Sequence, residues 1–111
     1  MTYIYRKLSE CEPVPCPCGE STRIIQAKDT PVANLHVTRI RDSTKHYHKH
    51  ATEYYYILEG AGKMELDEET VDLEPGVTIV IPPGTRHRAW GEIAALIVGV
   101  PAWDPADEWF D

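Results

Sequence analysis

The chain alternates short β-prone runs with turn signals over most of its length, and this alternation favours an all-β fold. Turn residues separate the runs, as at Glu74-Pro75-Gly76 and Pro82-Pro83-Gly84. No stretch has the periodicity of an amphipathic helix, although residues 105–110 could form one turn. We therefore predict a β-sandwich or β-barrel with strands at 22–26, 33–41, 53–59, 62–67, 70–73, 77–81 and 93–100, and with a break at Gly60-Ala61-Gly62. The nearly continuous apolar runs at 77–81 and 94–100 predict strands covered on both faces.

The length and the net charge of the chain limit the functions it can have. The 111 residues suffice for one domain with a hydrophobic core. The 18 acidic residues outnumber the 11 Lys and Arg residues, and the resulting formal charge of -7 argues against nucleic-acid and anionic-membrane partners. The first nine residues carry Arg6 and Lys7 without a following apolar stretch, and no run is long enough to span a membrane. We therefore expect a cytoplasmic protein.

All three cysteines, Cys11, Cys16 and Cys18, lie in a proline-rich segment at residues 11–20. Each proline removes a backbone donor and restricts the preceding residue, so we expect an extended connecting arm. An odd number of cysteines without an export signal makes a disulfide framework unfavourable, and structural zinc sites need four ligands at wider spacings. We interpret this segment as a rigid arm with free thiols. The sequence leaves one alternative open, which is metal or redox chemistry at the closely spaced Cys16 and Cys18.

A group of histidines and one glutamate has the spacing of a metal site. His46 and His48 are separated by one residue, so both imidazoles project from the same face of an extended strand. Glu53 follows closely and His87 much later. Imidazole and carboxylate ligands together suit Fe, Mn, Ni, Cu or Zn in the divalent state, and the residues do not distinguish these metals.

The segment from residue 40 to residue 91 resembles the two motifs of the cupin superfamily, G(X)5HXH(X)3-4E(X)6G and G(X)5PXG(X)2H(X)3N. His46, His48, Glu53 and Gly60 stand in register with the first motif, with Ile40 in place of its leading Gly. The second motif is matched by Gly76, Pro82, Gly84 and His87, with Gly91 in place of its Asn.

The resemblance implies a small single-domain cupin, an antiparallel two-sheet jelly-roll barrel with little helix. The domain would cover residues 1–111, with an N-terminal strand and arm at 1–32, a barrel core at 33–100 and an aromatic and acidic tail at 101–111. It also implies one divalent metal ion per chain, a homodimer, and a metal site whose ligands are His46, His48, Glu53 and His87.

Candidate catalytic residues lie on two strands. Tyr55 shares the face of Glu53 on a regular strand, so we expect it to point inward, where it could donate a hydrogen bond to a metal-bound substrate or simply fill the barrel. Arg39 and Arg41 could pair with a substrate carboxylate if either faces inward. His36 could face the pocket or the solvent.

Other polar and aromatic residues are predicted to lie outside the ligand set. His50 fits the motif spacing less well and is expected either at the rim or next to the ligands without binding the metal. Arg86 and Arg88 flank His87 and should face away from the metal. The tail, which contains Trp103, Trp109 and Phe110, should pack across the barrel or against a second subunit. Its acidic residues are expected to be solvated: Asp104, Asp107, Glu108 and Asp111.

Three functions are compatible with these residues. The first is an enzyme in which the metal binds and transforms a small oxygen-bearing substrate, by dioxygenase, lyase or isomerase chemistry. The second is a non-catalytic protein that binds or senses a small molecule, and the third is a structural protein with a vestigial site. We favour the enzyme, by analogy with the family, because a fold alone does not determine a function.

Overall fold

The computed structural model describes residues 2–111 and confirms the predicted all-β fold. Two short 3-10 turns, Leu8–Glu10 and Pro105–Asp107, flank the sheet, and the second lies where one turn was predicted. Within the described range, no helix has the length and apolar character needed to cross a bilayer. The seven strands are β1 (Val14–Cys16), β2 (Gly19–Ile25), β3 (Asn34–Asp42), β4 (Thr52–Leu66), β5 (Glu69–Leu73), β6 (Thr78–Ile81) and β7 (His87–Val100).

All strand pairings are antiparallel, and two long strands organise the barrel. The spatial order is β1-β2-β3-β7-β4-β5, with β6 paired to the first part of β4. Strands β4 and β7 pair along almost their whole length, from Thr52 opposite Val100 to Leu66 opposite His87. Because β7 also pairs with β3, and β4 also pairs with β5 and β6, these two strands connect the remaining parts of the sheet.

The predicted break at Gly60-Ala61-Gly62 is wrong, since β4 runs through it without interruption. The ladder instead shifts register between Ile57 and Glu59, and Gly60 adopts a φ of 88°. A side chain at Gly62 would collide with the backbone carbonyl of Trp90 on β7. The glycines therefore mark a bulged part of a paired strand, where a bulge bends the strand and increases its twist.

The core lies on the inner faces of the strands. Ile57 and Met64 on β4 are fully buried, and Ile81 and Leu73 are almost so. Burying each such side chain contributes roughly 1.5–3 kcal/mol. The expectation that residues 77–81 are covered on both faces is wrong, because Val80 on β6 is 51% exposed. It lies opposite Tyr54 on an outer face that remains accessible in the single chain.

The proline-rich arm is also more structured than we expected. Strands β1 and β2 form a hairpin whose turn is Pro17-Cys18, between the paired residues Cys16 and Gly19. A disulfide joins Cys16 to Cys18, while Cys11 is a free thiol. The expectation that all three thiols are free is therefore wrong for two of them, because the hairpin turn brings their sulfurs together.

Candidate metal centre

The structure brings together the four residues that carry the predicted metal site. One nitrogen or oxygen ligand atom from each lies within 4.8 Å of the corresponding atom of every other: His46, His48, Glu53 and His87. The segment before β4 carries the first two histidines, β4 carries the glutamate near its start, and β7 begins at the last histidine. Backbone hydrogen bonds in both directions between His46 and His87, at 3.1 and 2.9 Å, hold the two ends of the cluster side by side.

Each of the three imidazoles is oriented by a hydrogen bond from its Nδ1 to a backbone carbonyl. His46 Nδ1 donates to the Thr44 carbonyl at 2.7 Å. His87 Nδ1 donates to the Thr85 carbonyl at 2.9 Å. His48 Nδ1 donates to a carbonyl of the tail, at 2.7 Å. A carbonyl can only accept, so these bonds fix the proton on Nδ1 and direct Nε2 towards the other cluster members, as in metal-binding histidines.

The Glu53 carboxylate lies at the centre of the group. Its Oε1 accepts a hydrogen bond from His48 Nε2 at 3.0 Å and is 3.2 Å from His87 Nε2. Burial opposes the charge of Glu53, but the hydrogen bond from His48 and the proximity of both histidines outweigh it and lower the pKa of Glu53 to about 2. Burial likewise opposes a charge on His48, yet the hydrogen bond that His48 donates to Glu53 and the negative charge of Glu53 raise the pKa of His48 to about 9. The chain therefore holds a buried, ionised carboxylate against a protonated histidine.

The donor set fits a divalent ion. His87 is 1% exposed, and among residues 2–111 its Nε2 has no well-aligned hydrogen-bond partner despite its proximity to Glu53. Leaving a buried polar nitrogen without a partner is unfavourable unless another group satisfies it. Three imidazole nitrogens and one carboxylate oxygen at this spacing are a known kind of site for first-row metals.

The tail residue Asp107 holds the loop between His48 and Glu53. Its carboxylate accepts backbone hydrogen bonds from Lys49 at 2.9 Å, from His50 at 3.1 Å and from Ala51 at 3.1 Å. Its own carbonyl is the acceptor for His48 Nδ1. Asp107 is only 8% exposed, so the expectation that the acidic tail residues are solvated is wrong here. This residue places one candidate ligand directly and supports the loop that leads to another.

The tail closes one side of the cluster. Trp109 pairs with Tyr47 through two backbone hydrogen bonds of 3.0 and 2.9 Å, which adds a short bridge beside the ligand segment. Glu108 Oε1 approaches His46 Nε2 to 3.9 Å, and the Phe110 ring lies 6.3 Å from the His46 ring. The tail thus packs across its own barrel, one of the two arrangements expected from its aromatic content.

A cavity of about 390 Å³ opens beside the cluster. Three of the predicted ligands line it, and Ile40 and Ile97 contribute apolar surface. Its polar lining includes Ser21, Asn34, His36 and Thr38. This combination of an apolar wall with a few polar groups is characteristic of small-molecule sites.

Tyr55 lines this cavity and is 7% exposed, as its alternation with Glu53 predicts. Burial raises the pKa of Tyr55 well above its ordinary value, and the nearby charges of Glu53 and Glu108 add to the effect. Its hydroxyl therefore retains its proton at neutral pH and is available as a hydrogen-bond donor.

His36, whose orientation the sequence left open, also lines the cavity. Its ring packs edge-on against Trp103 at 6.1 Å, and Arg23 lies 5.0 Å from the same indole ring. Burial lowers the pKa of His36 to about 4, and the charge of Arg23 contributes to the shift. His36 is therefore neutral at pH 7.

The arginine candidates are not brought to the cluster. The Arg39 guanidinium pairs with Glu59 at 3.3 Å on the exposed surface, and Arg39 and Arg41 both line a separate surface hollow. Arg39 thus projects outward from β3 and away from the cluster, and the catalytic role suggested for it stays a prediction. Arg86 pairs with Asp111, and Arg88 pairs with Asp42, so both face away from the cluster as expected.

His50 is exposed and is not a member of the four-residue group. The contribution of Asp107 and Glu108 escaped the sequence analysis, because an acidic tail residue has no local pattern that links it to a loop more than fifty positions earlier.

Comparisons with known proteins agree with this architecture. The family model for the cupin domain matches residues 39–92, which include all four cluster residues. A crystal structure of a protein from Planctomyces limnophilus has 36% sequence identity and a TM-score of 0.92, covering 98% of this chain and 97% of that chain. Pac13 from Streptomyces, described as a nucleoside dehydratase, has 22% identity and a TM-score of 0.85, covering 97% of this chain and 90% of that chain.

Sequence relatives are similar over shorter segments. An uncharacterized protein of Methanocaldococcus jannaschii is 56% identical over 43 residues, which is 37% of this chain and 34% of that protein. The matched segment thus spans about a third of that relative's length. Both cupin motifs, the family match and the barrel agree, and the chain belongs to the cupin family as a small cupin domain.

Proposed function

We propose that this chain is a metal-dependent cupin enzyme in which His46, His48, Glu53 and His87 hold one divalent ion beside a small-molecule cavity. The observation that most strongly supports this proposal is that three histidine Nε2 atoms converge on one buried carboxylate. Each of these histidines is held by a hydrogen bond from its Nδ1. Such backing hydrogen bonds fix the tautomer and ring orientation that metal binding needs. Fe, Mn, Ni, Zn and Cu all remain compatible with this ligand set.

When bound, the ion would supply Lewis-acid activation of a substrate oxygen and, with Fe or Mn, redox chemistry. The chain's own residues then orient the substrate. Tyr55 donates a hydrogen bond from the cavity wall, and neutral His36 can donate or accept one from another side. Ile40 and Ile97 contribute apolar surface around the same space.

The size and lining of the cavity support a small, oxygen-bearing substrate. A volume of about 390 Å³ lies in the range of ordinary small-molecule sites. Dioxygenase, lyase and isomerase reactions are all compatible with the site. Pac13 is described as a nucleoside dehydratase, so lyase reactions of small hydroxylated substrates are the first reactions to assay.

Metal loading tests the proposal most directly. Purified protein is stripped, reconstituted with each candidate ion, desalted and analysed for bound metal, with circular dichroism as the control for folding. The wild type should retain about one ion per chain, and His87→Ala should lose it while keeping its β-sheet spectrum. The matched control is His50→Ala, because His50 is exposed and outside the cluster.

Three outcomes separate the alternatives. Metal loading of the wild type and of His50→Ala, with turnover, supports the enzyme. Loading without turnover, but with metal-dependent small-molecule binding, replaces the enzyme by a binding protein. Failure of the wild type to load any ion, or an equal loss in His50→Ala, refutes the proposed centre.

The exposed outer sheet face supports a homodimer as part of the same proposal. Tyr54, Tyr56 and Val80 are 46%, 47% and 51% exposed, and Val80 lies opposite Tyr54 across the β4–β6 ladder. Exposed apolar clusters of this kind often mark subunit contacts. Light scattering of Val80→Glu, expected to be monomeric where the wild type is dimeric, tests the assignment. The single domain over residues 1–111 and the cytoplasmic location stay predictions, which limited proteolysis and cell fractionation test.

A further inference from the structure

The hairpin between β1 and β2 places a pair of sulfurs in the wall of the candidate substrate cavity. Cys16 and Cys18 are joined by a disulfide, and both residues line the cavity together with Pro17 between them. The cavity is the same one that His46, His48 and Glu53 line. The proposed metal chemistry does not use these sulfurs, so their position calls for a separate explanation.

The Cys16–Cys18 disulfide closes too short a loop to stabilise the fold appreciably. A disulfide stabilises a fold mainly by restricting the unfolded chain, and the effect grows with the number of residues in the closed loop. Here only Pro17 separates the two cysteines. The hairpin is already closed by strand pairing of Cys16 with Gly19 and of Val14 with Ser21. Opening the bond therefore leaves the main connections of the hairpin in place.

The pair is accessible, while its backbone is held in position. Both residues are half-buried and line the cavity, so a small reagent that enters the cavity approaches the pair. The Cys18 carbonyl accepts a hydrogen bond from the Arg41 backbone amide at 2.9 Å, which ties the turn to β3. Cys18 also packs against the hydrophobic core. A fixed turn keeps two thiols close enough to close again after reduction.

We propose that Cys16 and Cys18 form a reversible thiol–disulfide exchange site whose partner is a low-molecular-weight thiol. The thiolate of the partner attacks one sulfur of the pair, forming a mixed disulfide and releasing the other cysteine as a thiolate, which takes up a proton. A second partner thiolate then attacks the mixed disulfide and releases the oxidised partner. In total two partner thiols are oxidised to one disulfide, and Cys16 and Cys18 are reduced to two thiols. The exchange needs no bound metal and is independent of the proposed metal chemistry.

The full-length protein is equilibrated in glutathione buffers of graded reduced-to-oxidised ratio, quenched with acid, alkylated and weighed by mass spectrometry. Alkylated thiols should rise from one, Cys11, to three at the reducing end, and should return to one when the ratio is reversed. Cys11→Ser should show the same transition between zero and two. In Cys18→Ser the two-electron transition should disappear, because no intramolecular partner remains.

Three results would overturn the proposal. The first is that the Cys16–Cys18 disulfide stays intact in excess reduced glutathione. The second is that the pair remains as two thiols, or as stable mixed disulfides, in the most oxidising buffer. The third is loss of the β-sheet circular dichroism spectrum on reduction, which would make the bond a structural one. Reduction with an unchanged spectrum and full reoxidation supports the exchange site.

Discussion

Replacement of Asp107 by alanine tests whether the tail positions the metal centre. The Asp107 carboxylate accepts three backbone hydrogen bonds from residues 49–51. Lys49 and His50 are exposed, so water can replace the lost acceptor there, but Ala51 is only 6% exposed. A hydrogen bond to a charged group contributes about 1.5–3 kcal/mol, and a buried donor left unpaired adds to the loss. We expect Asp107→Ala to lower the free energy of unfolding by about 2–4 kcal/mol.

The same substitution should weaken metal binding without removing any ligand. The carbonyl of residue 107 that accepts from His48 Nδ1 remains in the variant, but its position depends on how the tail docks. Loss of groups that orient metal ligands typically lowers affinity by about 10- to 100-fold. Competition titration against a chelator measures the affinity. Hydrogen exchange of the amides of residues 49–51 reports on the loop whether or not a metal is bound.

Asp104→Ala is the matched control for this experiment. Asp104 lies in the same tail, and its carboxylate accepts one hydrogen bond, from the Ala106 amide, but none from residues 49–51. Its replacement should leave metal affinity and the protection of residues 49–51 close to the wild-type values. The reasoning is refuted if folded Asp107→Ala binds metal as tightly as the wild type, or if its loop amides remain fully protected.

Three further predictions concern other residues. Gly62→Val should lower the free energy of unfolding by about 1–3 kcal/mol, because the valine side chain would collide with the Trp90 carbonyl. Urea melts measure this, with the substitution Lys63→Ala at an exposed position as a control that should have little effect. His36 has a pKa of about 4 in the folded chain and an ordinary value near 6.5 in the unfolded chain. As the pH falls, the unfolded chain therefore takes up this proton before the folded chain does. The stability contributed by neutral His36 should be fully present above about pH 6.5 and should fall as the pH drops towards 4, and equal pH profiles for wild type and His36→Gln would contradict this. His48, with its pKa raised to about 9, is protonated at pH 7 in the metal-free chain, so calorimetry in buffers of different ionisation enthalpy should detect the release of about one proton on metal binding. A binding heat that is independent of the buffer would count against that protonation state.

Three of the four cluster residues form a local pattern, since His46, His48 and Glu53 lie within eight positions. His87 lies far from them in the chain, and only the resemblance to the second cupin motif assigned it to the same site. The inward position of Tyr55 follows from its strand alternation with Glu53. The local pattern and the position of Tyr55 depend on short-range geometry, which residue spacing records.

The parts that sequence reasoning missed depend on long-range contacts. Nothing near Asp107 indicates that it accepts hydrogen bonds from residues 49–51, because the tail's docking position is set by the whole barrel. The outward direction of Arg39 depends on the register of β3 against its neighbours, which the sequence alone left open. The Cys16–Cys18 bond depends on the β1–β2 turn, which a proline-rich composition did not reveal.

The path of the β4–β7 ladder gives the metal centre a second role. Glu53 and His87 belong to opposite ends of this ladder, and thirteen residues of unbent strand would separate them by about 40 Å, yet their side chains approach to 3.2 Å. An ion bound to both would join Glu53 to His87 only in the folded chain, because the assembled site does not persist after unfolding, so it would stabilise the folded state over the unfolded one. Metal affinity and stability would then be linked quantities, so the free energy of unfolding would rise with the concentration of free metal.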